Sequence, residues 1–495
     1  MSTVSTGVLL LLSVLLPALQ PCSADGRGTL FRVNSHVEEA WSVQDTGSRL
    51  LYHLPAQPVD SSGKPIPAGS SWCLLSAANN LTCSSVQELT ITAIKAPVKA
   101  TNVRIRLLVA AFRIGSGCPS GGASATDVTN AYLGARGHAF LMESCSYGQM
   151  VYDKTALKVV EVTAPCDRAF SSCDDNRIAD LGMQLLERQL GADVVNSYTH
   201  FSFVLPNNNG CNWAGLALVP GQFTWYPANA DGIFNLGTVM QEALHNFGLY
   251  HGWRNGREYE DLSTSMGLGS SCPSAPELYR LGWATPADTL SGGSLPEGGV
   301  YREYRLPATH LTGRANMLRV LPDWLGSGYN KNMYFALRQR AGGDWQLQDE
   351  FNNKVNVHVA DSSVDNAFTS QDDPKFTIVD TIGAGEARDF TAYRLAVRAG
   401  RLRVQHAQPA GLAATSSSVT ITAAAAAEGF AFTATASSVA FAPTAEDLSF
   451  AATASSVAFA TTSQAEPPAA VAQPFTAAPC QEPQPTAAGS EPASS

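Results

Sequence analysis

One eleven-residue segment constrains this chain more than any other: Gln241-Glu242-Ala243-Leu244-His245-Asn246-Phe247-Gly248-Leu249-Tyr250-His251. On a helix, positions 241 and 245 lie one turn apart on one face, so both side chains can reach a single metal ion, with Glu242 beside them. Gly248 can end that helix with a positive φ. The chain then turns back, and His251 approaches the same ion from a third direction, leaving a fourth position for water. A metal held in this way acidifies the water and polarises a scissile carbonyl, and Glu242 is placed to take the water's proton and pass it to a leaving amine. A single His at helical spacing is usually a structural residue. Here Glu, His, Gly and His fall at fixed offsets in a chain with only nine His, a set that chance supplies in roughly one such chain in a thousand. The other seven (His36, His53, His138, His200, His310, His358 and His406) stand singly and receive no role.

The chain around this segment reads as an α/β catalytic domain with a β-rich carboxy-terminal domain and a low-complexity tail. Residues 1–24 carry a twelve-residue apolar run, Val8 to Leu19, followed by the small residues Ser23 and Ala24, as a signal peptide does. Residues 25–101 alternate short β-type runs, Leu50 to Leu54 and Leu89 to Ile94 among them, with Gly, Pro and Ser turns, and are placed as a prosegment. From 102 to 290 strands and helices alternate. Val103 to Phe112, Phe201 to Leu205 and Cys211 to Ala217 read as strands, while Arg177 to Gly191 and Leu236 to Leu249 read as helices. Residues 291–408 return to short β-type runs, as a β-sandwich-like domain would. Residues 409–495 are dominated by Ala, Ser, Thr and Pro and repeat Thr-Ala-Ser-Ser-Val-Ala-Phe-Ala at Thr435 and Thr453, as a spacer does. Evenly spaced Phe430, Phe432, Phe441, Phe450 and Phe459 leave weak strands as the alternative for that tail.

Cysteine usage fits an oxidising, extracellular destination. Of ten cysteines, eight fall in the body (Cys73, Cys83, Cys118, Cys145, Cys166, Cys173, Cys211 and Cys272), and no two have the Cys-x-x-Cys spacing of a zinc ribbon. Disulfides are therefore expected, with connectivity left open. Asn80-Leu81-Thr82 offers one glycosylation sequon. With 32 Lys and Arg against 42 Asp and Glu, the chain lacks the basic patch that nucleic acid or an anionic membrane surface requires. Six acids and no bases lie beyond residue 410, so most of the net charge of −10 belongs to the tail. No run of eighteen apolar residues and no hydrophobic carboxy terminus is present, so no membrane anchor is expected.

The metal-binding segment resembles the extended zinc signature H-E-x-x-H-x-x-G-x-x-H of metzincin metalloproteases, and within them the gametolysin family of green-algal matrix and cell-wall proteases. Cys211 to Ala217 with Val219-Pro220-Gly221, Glu258 to Gly267, and Leu281-Gly282-Trp283 carry the same likeness. The resemblance implies that His245 and His251 are metal ligands, that Glu242 is the general base, and that Met266 is the methionine of the turn beneath the metal. It implies zinc as the one catalytic divalent metal, with copper the alternative. A strand from Trp213 to Ala217 would pair with an extended protein substrate, drawn from the hydroxyproline-rich extracellular glycoproteins of a matrix or cell wall. Tyr259 either hydrogen-bonds the oxyanion or fills core.

The sequence departs from the signature at its first ligand, where Gln241 replaces His. An amide oxygen is a weaker donor to zinc than imidazole nitrogen. Gln241 is counted here as a ligand, because gametolysin-like proteins include a Gln variant. The alternative is a catalytically inactive protease-like protein that binds or builds matrix. Such a protein has no chemical need of Glu242. In a latent prosegment Cys73 or Cys83 could cap the metal, but a disulfide between the two is the expected reading.

Overall fold

The computed structural model describes residues 26–425 apart from 35–38, 46–48, 55, 61, 76–77, 80–81, 84–87, 95–98, 116–120, 208–209, 296–301, 368–371 and 406–415. The leader, the sequon and the Phe-bearing repeats fall outside these residues, as do the side chains of Cys73 and Cys83. Chain contacts separate residues Met1–Ala427 from Glu428–Ser495, and every described residue belongs to the first unit.

The segment Gln241 to His251 rests on a mixed sheet. Leu107–Ile114 (LLVAAFRI) is apolar on both faces, which suits a central strand covered on both sides. It runs parallel to Lys158–Ala164 on one side and to His200–Leu205 on the other, and Phe223–Pro227 continues the parallel order. The helix Asp175–Leu190 covers one face, packing Ile178, Leu181 and Leu186 among Phe112, Phe201 and Phe203. Gly182 permits that approach, since a Cβ there would lie 2.6 Å from the Phe203 ring. The helix Leu236–His245 covers the other face through Val239, Met240 and Leu244, in a core shared with Val109 and Val204.

The fourth parallel strand is followed outward by Leu216–Val219, which runs antiparallel to Phe223–Pro227. The strand expected from Cys211 to Ala217 therefore begins five residues later than its predicted start. Cys211 is tied by a disulfide to Cys173, ahead of the helix Asp175–Leu190, and the chain joins the sheet only from Leu216. The far edge of Leu216–Val219 is occupied by the chain's own strand Gly26–Asn34, antiparallel, with Arg32 opposite Val219, Val33 opposite Leu218 and Asn34 opposite Ala217. Beyond it, Glu39–Asp45 and Leu51–Leu54 extend the sheet.

A seven-stranded sheet draws Trp253–Arg254, Arg257–Glu258 and Pro286–Leu290 together with Met317–Val320, Lys331–Arg338, Lys354–Asp361 and Thr377–Ile382. Chain from both sides of residue 290 thus shares one sheet. Against it packs a five-stranded sheet, and Leu318, Phe335 and Val357 of the first share a core with Leu306, Val397 and Ile421 of the second. Ile421 belongs to Ser416–Ala425, which pairs with Arg302–Pro307 and Leu395–Ala399. The low-complexity tail expected from residue 409 therefore yields its first ordered strand to this sheet. Val419 and Ile421 alternate inward, and that short β-period pattern outweighs the Ala and Ser around it.

Candidate metal centre

Asn235 caps the motif helix, its Oδ1 accepting from the Gly237 and Thr238 amides at 2.9 and 3.1 Å. At the other end Asn246 donates through Nδ2 to the carbonyls of Leu218 (2.9 Å) and Phe223 (3.1 Å), tying the helix terminus to Leu216–Val219 and its neighbour Phe223–Pro227. Gly248 has φ +82°, the left-handed conformation the sequence predicts for the reversal. The helix itself stops at His245, shorter than the expected Leu249.

This reversal brings His245 and His251 together, both buried, with their Nε2 atoms 3.0 Å apart. Each ring's other nitrogen is committed. His245 Nδ1 lies 2.7 Å from the Leu249 carbonyl, which can only accept, and His251 Nδ1 lies 2.7 Å from Glu258 Oε1. The protons of the neutral rings therefore sit on Nδ1, and two Nε2 lone pairs face one another. That arrangement is repulsive alone and is what two imidazoles present to a shared cation. Tyr259 (φ +67°) stacks on His251, with ring centroids 3.8 Å apart.

Gln241 is buried one turn before His245 on the same helix face. In the amide orientation that satisfies its neighbours, its nitrogen donates to the carbonyls of Ser265 (3.1 Å) and Gly267 (3.2 Å). The oxygen, its only possible metal donor, is then left for other partners. The flanking Met266 is fully buried in the core that holds Leu244 and Leu249, and its carbonyl accepts from the Gly252 amide at 2.8 Å. Two buried contacts brace this loop. His358 Nε2 lies 3.1 Å from Asp261 Oδ2, and Thr264 Oγ1 donates to Glu277 Oε2 at 2.6 Å.

Glu242 is 2% exposed, and among the described residues its Oε2 has no hydrogen-bond partner. Burial pushes its carboxyl well above the ordinary carboxylate range. The backbone of Gly215, just ahead of the strand Leu216–Val219, passes directly over it. A Cβ at that position would lie 2.6 Å from Glu242 Cγ and 2.7 Å from Oε1.

The predicted residues thus fall into one place, with Gln241, Glu242 and His245 on the helix and His251 after the turn. The donor set fits a transition metal of zinc's class: two imidazole nitrogens with ordered outer partners and an amide oxygen. Sequence reasoning gave no role to Glu258, although it lies seven residues past His251 within the stretch quoted for its resemblance, and none to Gly215. It also left His358 single, whereas the fold pairs it with Asp261 across 97 residues. Of the expected disulfides, Cys145–Cys272 and Cys173–Cys211 have both ends among the described residues, and Cys166 is also disulfide-bonded.

A sequence profile described as Gametolysin peptidase M11 matches residues 106–393. The match runs through residue 290 and spans the strands from Leu107–Ile114 to Phe223–Pro227, the motif helix and the whole seven-stranded sheet. A curated relative, the protein named Autolysin from Chlamydomonas reinhardtii, is 37% identical over 93 residues, covering 17% of this chain and 15% of that protein. The chain therefore spans well under two thirds of that relative's length. Among the described residues no helix is long and apolar enough to cross a membrane.

Proposed function

The chain belongs to the gametolysin peptidase M11 family, and from that premise we propose that it is a metal-dependent endopeptidase of the metzincin type, with Gln241, His245 and His251 as metal ligands and Glu242 as general base. The observation that carries this reading is the opposed pair of Nε2 atoms at 3.0 Å, each ring oriented by an acceptor on its Nδ1. A bound divalent metal, zinc before copper, would polarise the scissile carbonyl and acidify a water molecule. Glu242 accepts that water's proton as the water oxygen bonds to the carbonyl carbon. It then gives the proton to the leaving nitrogen as the C–N bond breaks. Glu258 positions His251, and the Leu249 carbonyl positions His245. Met266 is assigned to the turn beneath the metal.

The substrate would lie extended along Leu216–Val219, adding a strand to the sheet. Gly26–Asn34 holds that edge, so we assign the amino-terminal segment the role of a prosegment that must leave before substrate binds. Arg32 reinforces the contact by lying over the Tyr250 ring, 5.0 Å from its centroid. The proposed substrates are extracellular matrix or cell-wall glycoproteins, and the proposed location is outside the cell. The test is to express the secreted chain, remove the amino-terminal segment, measure bound metal and assay a denatured protein beside Glu242→Ala. Metal-dependent cleavage abolished in that variant supports the reading. Equal cleavage by both chains, or no metal in either, refutes it; metal without cleavage favours the inactive, matrix-binding alternative.

A further inference from the structure

We propose that this protein carries a second divalent-metal site, formed by His53, Asp174 and Asp175, that clips its amino-terminal segment to the helix Asp175–Leu190. The three side chains come from two distant parts of the chain. His53 lies on the strand Leu51–Leu54, and the two aspartates open the helix. One ligand atom from each falls within 4.8 Å of the others.

The distances leave room for a shared cation between the three groups. His53 Nε2 is 3.7 Å from Asp174 Oδ1 and 3.8 Å from Asp175 Oδ1, and both separations exceed the range of an N–H···O bond. Ligand atoms around one tetrahedral zinc, at bond lengths of about 2.0–2.2 Å, stand roughly 3.3–3.5 Å apart, so the three groups, now within 4.8 Å of one another, would close inward around the ion. Asp175 supplies an independent sign. It is 7% exposed, its carboxyl faces His53, and among the described residues its Oδ2 has no hydrogen-bond partner.

The surrounding groups suit a ligand role. His53 Nδ1 is turned toward Ser42 Oγ at 3.4 Å, which in turn accepts from Asn176 Nδ2 at 3.3 Å, and this fixes the ring with Nε2 inward. Asp174 Oδ1, the oxygen nearest His53, accepts the capping bond from the Arg177 amide at 2.9 Å, and the carboxylate keeps further lone pairs on Oδ1 and Oδ2 for a cation. The positive end of the helix dipole opposes a cation, but its half charge is outweighed by two carboxylates. One imidazole and two carboxylates, with partly exposed His53 and Asp174 admitting water, match a borderline ion such as zinc. Calcium, which takes six to eight oxygens, is not matched.

The site stands independently of the catalytic reading, and metal counting separates the two. Full-length protein is dialysed against buffered zinc, and zinc per chain is measured beside circular dichroism. His245→Ala/His251→Ala, which keeps the clip intact, is expected to retain one zinc. Adding His53→Ala should remove it, and Asp175→Asn should weaken it at least tenfold. No zinc in the His245→Ala/His251→Ala chain overturns the clip, as does a zinc that survives His53→Ala. A count unchanged between wild type and His245→Ala/His251→Ala would instead contradict the catalytic site and leave the clip's result readable.

Discussion

Glu258 offers the sharpest test of how the metal centre is built, because its side chain meets the ring of His251 at the nitrogen turned away from His245. Its Oε1 accepts from His251 Nδ1 at 2.7 Å, in a contact whose histidine side is buried and whose carboxylate side is 38% exposed. Removing such an outer partner weakens metal affinity by about 10–100-fold, or roughly 1.4–2.7 kcal/mol. Glu258→Ala leaves the Nδ1 proton without its partner and lets the ring turn, so the full range is expected. Glu258→Gln retains an oxygen acceptor but loses the charge that makes the imidazole a stronger donor, and should fall at the lower end. Competition with a chelator of known zinc affinity measures both, and kcat/KM at saturating zinc separates affinity from chemistry. With zinc saturating, Glu258→Ala should recover most of its cleavage. Zinc affinity within twofold of wild type in Glu258→Ala would refute the claim that this hydrogen bond orients the ligand.

Three further outcomes follow from the same geometry. Gly215→Ala would place a methyl group 2.6 Å from Glu242 Cγ, and a general base displaced in this way should lower kcat by about 10–100-fold with bound metal unchanged; loss of metal instead would show that Gly215 supports the ligands. Gln241→His should bind zinc more tightly and keep cleavage, because imidazole nitrogen is the better donor; equal affinity by chelator competition would show that Gln241 does not ligate. The buried His138, whose Nε2 lies 2.8 Å from the Ile233 carbonyl, is pushed by burial from 6.5 down to about 4. The unfolded chain then binds its proton first, so this contribution is complete above pH 6.5 and is lost as pH falls toward 4. Between pH 7 and pH 5 the loss is about 2 kcal/mol, which urea unfolding of wild type should show and His138→Gln should lack.

Much of the site was legible because its chemistry is local. Gln241, Glu242 and His245 are set by helical spacing, and Gly248 marks the reversal that returns His251. The central strands were legible for a similar reason. Leu107–Ile114 is a continuous apolar run, and such a run of β-prone residues has few alternatives. What escaped depends on contacts between distant residues. Periodicity near Glu258 gives no sign that its carboxylate meets His251, and nothing near His53 points to Asp174, more than a hundred residues on. Gly215 looks like any small residue until Glu242 is placed beneath it. The strand Ser416–Ala425 was hidden by composition, since Ala and Ser suggest a spacer and only Val419 and Ile421 carry the inward pattern. The strand start at Leu216 was misplaced because the Cys173–Cys211 bridge, invisible in spacing alone, fixes where the chain may join the sheet.

The central claim is that His245 and His251 share a metal on which Glu242 performs proton transfer. Metal content and cleavage of a denatured protein, measured together on wild type, Glu242→Ala and His245→Ala/His251→Ala after removal of the amino-terminal segment, test it most directly. The account predicts that Glu242→Ala holds as much metal as wild type but does not cleave, and that His245→Ala/His251→Ala holds one metal fewer and does not cleave. Cleavage by Glu242→Ala, or an unchanged metal count in His245→Ala/His251→Ala, would contradict it.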